Sequence, residues 1–212
     1  MSLAFLSIDG VADRSWHQPV AKSAIERAQR DLGATFEERD GWLVPISIPG
    51  ERDHAAVGIA DLSHMTKIEV RPAGEEIVIG AGDPGVRLKP DTSVWYPISP
   101  RRALVLCAPA LGTTVRGQAG DRFALDVTGA YSVIAITGPE ADTVLRRMTH
   151  IHHFPSGGEI AHVQGHVLQR AGGYWVICLQ ELGHYMWEVA VDRASALGGG
   201  PIGVDALQGG TA

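Results

Sequence analysis

The stretch 131–148, Tyr-Ser-Val-Ile-Ala-Ile-Thr-Gly-Pro-Glu-Ala-Asp-Thr-Val-Leu-Arg-Arg-Met, constrains the fold more than any other part of the chain. Its first half is a β-branched run, which suits a pleated and buried surface. Gly138 then breaks it, Pro139 stands where a first helical residue tolerates a missing N–H, and acids follow where a helix N-terminus favours negative charge. Ala141, Val144, Leu145 and Met148 recur at i, i+3, i+4 and i+7 and make one buried helical face. A strand leading directly into a helix is the expected unit, so neither an all-α nor an all-β fold fits.

The remaining segments extend this pattern. Residues 21–33 have helical propensity, with Ser23 as a cap and Gly33 as a stop. Residues 41–50 are apolar but interrupted by Pro45 and Pro49, which predicts an edge strand or extended arm. Strands are expected at 67–70, 76–79 and 103–107, and at 113–115 leading to 123–126, with Gly or Pro in the gaps. Three more are expected at 162–168, 174–179 and 185–191, and Gly172-Gly173 fits a hairpin turn between the first two of these. There is no regular βαβ rhythm. The expected class is α+β, antiparallel sheets with packed helices. An N-terminal arm over 1–20 and a flexible, glycine-rich C-terminal tail over 198–212 flank one domain over 21–197, whose length also allows two sublobes.

Charge and composition exclude several function classes. A formal charge of −6 and a pI near 5.8 disfavour tracking of a nucleic-acid backbone, which needs clustered Lys and Arg. The first ten residues lack a cationic start and a long apolar run, and no segment has roughly 20 uninterrupted apolar residues, so neither a secretory signal nor a membrane span is expected. The reading is a cytoplasmic protein. Cys107 and Cys178 both sit in apolar runs and match no zinc or redox spacing, so both are expected as small buried hydrophobes.

Three segments in register resemble one family. Residues 51–70, with Asp61-Leu-Ser-His-Met-Thr-Lys67 at their centre, resemble the Asp-Val-Ser-His-Met-x-Lys stretch of glycine-cleavage T-proteins, the aminomethyltransferases. Gly41-Trp-Leu-Val-Pro-Ile resembles that family's Gly-Trp-x-Met-Pro stretch, and 130–141 resembles its Ile-Ala-x-x-Gly-Pro-x-Ala. The resemblance implies an aminomethyltransferase-like folate-binding domain and tetrahydrofolate as the cofactor. Further along, 181–191 sits where the family has Tyr-Thr-Gly-Glu-x-Gly-Tyr-Glu followed by an apolar strand. By that correspondence Glu188 is the carboxylate that holds the pterin, accepting two parallel N–H bonds. Met65 would pack on the flat heteroaromatic ring.

The chain also departs from this family. His184 and Glu181 replace the first motif Glu and the Tyr, the C-terminal Gly-x-Gly-Ala-Arg-Asp-Thr-Leu is reduced to Ile202-Gly-Val-Asp-Ala-Leu207, and the Gly-Gly-x-x-x-Asp-Asp stretch that supplies the catalytic aspartate is missing. No catalytic residue is therefore assigned. The stretch from about 127 to 193, above all Met148-Thr-His-Ile-His-His-Phe-Pro155 and His184-Tyr-Met-Trp-Glu188, also resembles the gamma subunit of heterotetrameric sarcosine oxidase. That likeness implies a non-catalytic subunit whose partners are the flavoprotein oxidase subunits. Two readings thus stand: a folate-binding protein of one-carbon metabolism, and a gamma-type assembly subunit.

The same residues have plainer explanations. Glu188 between apolar neighbours is also what a solvent-facing strand position looks like. Met65 fits ordinary core, Asp61-Leu-Ser-His64 a capped turn, and Trp175 and Trp187 core positions. His150, His152, His153, His162 and His166 cluster in sequence, but His162 and His166 on a strand lie too far apart for one ion and no Cys joins them, so no metal site is expected. No Gly-x-Ser-x-Gly occurs, which leaves a serine-hydrolase reading without a motif.

Overall fold

The computed structural model describes residues 19–71, 93–99, 101–119 and 122–208. The strand expected at 76–79 and the arm up to residue 18 lie outside the described residues. Helix α1 (Glu26–Asp31) opens the described chain, with Ser23 Oγ accepting the Ile25 N–H at 2.9 Å and Gly33 at φ +77° ending it. It is the expected helix, shorter at its start. A hairpin follows, β1 (Thr35–Arg39) and β2 (Trp42–Ser47), in which Pro45 is tolerated because β2 has a sheet partner on one side only.

Two larger sheets form the body. The six-stranded sheet contains β3 (Gly58–Asp61), β8 (Tyr131–Thr137), β9 (Ser156–Ile160), β10 (Val163–Arg170), β11 (Gly173–Leu179) and β12 (Gly200–Pro201), in the order β12-β3-β8-β11-β10-β9. All neighbours are antiparallel except β12 and β3. The four-stranded antiparallel sheet contains β4 (Thr66–Arg71), β5 (Ser93–Ser99), β6 (Arg102–Cys107) and β7 (Phe123–Asp126), in the order β5-β6-β4-β7. Helix α3 (Ala141–Arg146) and helix α4 (Gly183–Ser195) cover one face of the larger sheet, and helix α2 (Gly112–Gln118) covers the outer face of the smaller one.

Period-2 alternation assigns each strand residue to a layer. On β8, Ile134 and Ile136 face the helices, whereas Val133 and Ala135 face the other sheet. On β11, Val176 and Cys178 face the helices and Ile177 the other sheet. On β6, Leu104 and Leu106 point between the sheets while Val105 and Cys107 lie under α2. Both cysteines are buried and free, as expected, and burial pushes the Cys178 thiol up to about 12. The layers are helix, sheet, sheet, helix. An α+β architecture with mostly antiparallel sheets is what the sequence predicted.

Three local expectations need correction. Residues 185–191 are not a strand but lie inside α4, where Gly183, Met186, Trp187, Ala190 and Ala194 are the buried face. Their spacing of three and four is helical, and it was obscured because 185–191 is an apolar run broken only at Glu188, which a buried strand fits as well as a helix. Residues 113–115 belong to α2, where Val115 seals the smaller sheet. Finally, residues 200–208 are built into the fold: β12 extends the larger sheet, and helix α5 (Val204–Gln208) packs on β2.

Candidate functional site

The turn between β3 and β4 positions the residues that the sequence singles out. Asp61, 1% exposed, accepts the Ser63 N–H on Oδ1 at 2.9 Å, and its Oδ2 accepts from Ser23 Oγ at 2.5 Å and from Gln29 Nε2 at 3.3 Å. This is the capped turn read from the sequence. Lys67, fully buried, donates from Nζ to the carbonyl oxygens of Ser63 at 2.7 Å and Thr128 at 2.9 Å. Burial pulls its pKa down to about 8. Ser63 Oγ accepts the Val133 N–H at 3.1 Å and so ties the turn to β8. With both flanks tied down, His64 and Met65 are presented into the space between the two sheets.

That space is a cleft of about 620 Å³. Leu62, His64 and Met65 line it from the turn, Val94 and Leu106 from the smaller sheet, and Arg170, Gly173, Tyr174 and Trp175 from the β10–β11 hairpin. Arg39 and the α5 residues Val204 and Leu207 close one end. Among the described residues the lining contains no Asp or Glu. Arg39 is committed elsewhere, to Asp205 at 2.8 and 3.2 Å and to Glu37 at 2.7 Å, which hold its guanidinium firmly charged. Burial pushes the His64 imidazole below its ordinary pKa, toward the neutral form. Arg170 lies over the Trp175 ring, 4.8 Å from its centroid.

The two site residues named from sequence are not brought together. Met65 lines the cleft. Glu188 does not: it sits on the exposed face of α4, its side chain 64% exposed, with His184 Nδ1 3.7 Å from its Oε2. The motif placed there from sequence requires a carboxylate just ahead of an apolar strand, and here the carboxylate falls within a helix. Trp175, read as core, forms a cleft wall instead. Its position was legible in principle, since it alternates with Tyr174 and Val176 directly after the Gly172-Gly173 turn. The histidines disperse: His166 turns inward to Tyr96, with Nδ1 2.9 Å from the phenol oxygen, and His162 sits 3.4 Å from Glu159. Among the described residues no three His, Cys, Asp or Glu converge as metal ligands. No helix among them is long and apolar enough to cross a membrane.

The fold is a two-sheet α+β arrangement with a cleft between its sheets, and comparisons with known proteins place it beside the aminomethyltransferases. No protein-family model matches the chain. The aminomethyltransferase of Streptomyces avermitilis is 29% identical over 159 residues, 60% of this chain and 42% of that protein. The aminomethyltransferase of Mycobacterium tuberculosis is 31% identical over 150 residues, 57% of this chain and 41% of that protein. The matched stretch thus spans less than half the length of these relatives. Among solved structures, the glycine cleavage system aminomethyltransferase T of Bartonella henselae aligns at TM-score 0.64 and 18% identity, covering 88% of this chain and 60% of that one. A chain of the heterotetrameric sarcosine oxidase of Corynebacterium sp. U-96 aligns at 0.55 and 17%, covering 84% of this chain and 96% of that one. Over part of its length the chain is thus similar in sequence to aminomethyltransferases, and it shares its fold with the glycine cleavage aminomethyltransferase T and with a chain of a heterotetrameric sarcosine oxidase.

Proposed function

We propose that the protein is a non-catalytic, gamma-type subunit of a sarcosine-oxidase-like flavoenzyme. The observation that carries this reading is the cleft lining, which among the described residues includes no carboxylate for an aminopyrimidinone edge to pair with. A T-protein-like domain without that group keeps the architecture and loses the means to orient a pterin. The near end-to-end match with a chain of the Corynebacterium oxidase supports the same reading. The flavoprotein partner subunits then supply the redox chemistry, and this chain contributes surface and scaffold. The test is co-expression with flavin-bearing subunits encoded beside its gene, read by size exclusion. A stoichiometric flavin-containing complex is the expected result, and a chain that elutes alone from active oxidase would overturn it.

A second reading rests on a different observation: Met65 and Trp175 face a cleft large enough for a folate. In that reading the chain binds tetrahydrofolate within one-carbon metabolism and Met65 packs on the pterin, while Glu188, the carboxylate that the resemblance implies, lies on the exposed face of α4 and outside the cleft. Anaerobic calorimetric titration with tetrahydrofolate and 5-formyltetrahydrofolate separates the two. Binding near micromolar affinity, about −8 kcal/mol, and weakened in Met65→Ala, would establish the folate reading. The subunit reading expects no heat from either ligand.

A further inference from the structure

We propose that the inter-sheet cleft binds an organic carboxylate with a flat apolar body, and that Arg170 pairs with its charge. Of the cations lining the cleft, Arg39 already faces two carboxylates, whereas the Arg170 guanidinium has no carboxylate partner among the described residues. It is half-buried and lies across the face of Trp175. Stacking occupies the guanidinium plane and leaves its N–H edge available for two parallel hydrogen bonds to a carboxylate. An uncompensated cation beside low-dielectric walls attracts an anion more strongly than a solvated one does.

The rest of the cleft selects what the carboxylate is attached to. Trp175, Met65, Leu62 and Leu106 offer apolar surface from both sheets, which suits a planar or short branched body. With no Asp or Glu in the lining among the described residues, a cationic amine finds no counter-ion from them. His64 remains as a neutral hydrogen-bonding group, because burial disfavours its imidazolium. The cleft therefore discriminates by charge first and by shape second. The inference goes beyond the subunit reading and is tested on the isolated chain, so either can fail without the other.

Calorimetric titration of the full chain with indole-3-carboxylate and with the isosteric indole-3-carboxamide tests the proposal, since the two probes differ in charge and little else. The carboxylate should bind on the order of tenfold or more tighter than the amide, as a charge-assisted pair requires. Arg170→Met, which keeps the apolar stem over Trp175, should remove that preference, and Arg170→Lys should restore part of it. Equal affinity for acid and amide, a preference that survives in Arg170→Met, or no binding of either probe would each overturn the proposal. So would tetrahydrofolate binding tighter than the aromatic acid and unchanged in Arg170→Met, which would assign the cleft to the pterin.

Discussion

Lys67 has no exposed surface, yet its ammonium is satisfied by two backbone carbonyls and no ion pair. Burial lowers its pKa from 10.5 to about 8, so between those values the unfolded chain holds a proton that the folded chain has lost. Stability contributed by this group therefore rises with pH across that window, by about 3 kcal/mol in all. Cys178, raised from 9 to about 12, works in the opposite direction above pH 9, so the Lys67 contribution is visible only by difference. We expect the stability of wild type relative to Lys67→Met, measured by urea unfolding, to increase from pH 8 to 10.5; a flat difference would mean that the ammonium is not desolvated. His166 gives a second case. Burial lowers its pKa below 6.5, so the unfolded chain takes up a proton first as pH falls. Its stabilising bond with Tyr96 is complete above pH 6.5 and weakens below, and the advantage of wild type over His166→Gln should shrink between pH 7 and 5. Neither role was legible in sequence. A lysine in Met-Thr-Lys-Ile and a histidine in Gln-Gly-His-Val look like surface residues until the opposite sheet is in place.

At the scale of elements, what the sequence revealed depends on how local the determining contacts are. The unit from β8 to α3 was legible because Gly138, Pro139 and the apolar face at 141, 144, 145 and 148 all act within one turn of one another. The β10–β11 hairpin was legible for the same reason, through Gly172-Gly173. Helix α4 was not, because residues 185–191 form a short apolar run broken only at Glu188, and such a run fits a buried strand or a buried helix alike. Its buried face is decided by what lies beneath, the helix side of the larger sheet, including Val176 and Cys178. Placing Glu188 on a strand, and hence beside a ligand, followed from that ambiguity. Trp187→Ala should cost about 3–5 kcal/mol, the range for deleting a large buried aromatic side chain. Chemical denaturation would detect it, and a loss below 1 kcal/mol would contradict the helical burial. Gly173 marks a close approach of β11 to β8, where an added Cβ would lie 2.0 Å from the Ile136 carbonyl oxygen. Backbone cannot yield there as a side chain would, so Gly173→Ala should destabilise by at least about 2 kcal/mol and disturb the cleft wall at Trp175; an unchanged melting temperature would show that the strands separate easily.

For the whole molecule, two sheets face each other with helices on their outer faces, and the cleft exists because the sheets leave space between the β3–β4 turn and the β10–β11 hairpin. The fold class followed from the pattern of elements, and the superfamily from three short motifs in order. The content of the cleft did not, because its walls come from residues as far apart as Met65, Leu106 and Trp175, which no local pattern joins. Among the described residues those walls carry no carboxylate, and the proposed assembly-subunit reading rests on that. Anaerobic calorimetry with tetrahydrofolate on the purified chain tests that distinction most directly. The account predicts no saturable heat at concentrations that would reveal micromolar binding. Saturable binding near micromolar affinity would contradict it and return the protein to folate chemistry.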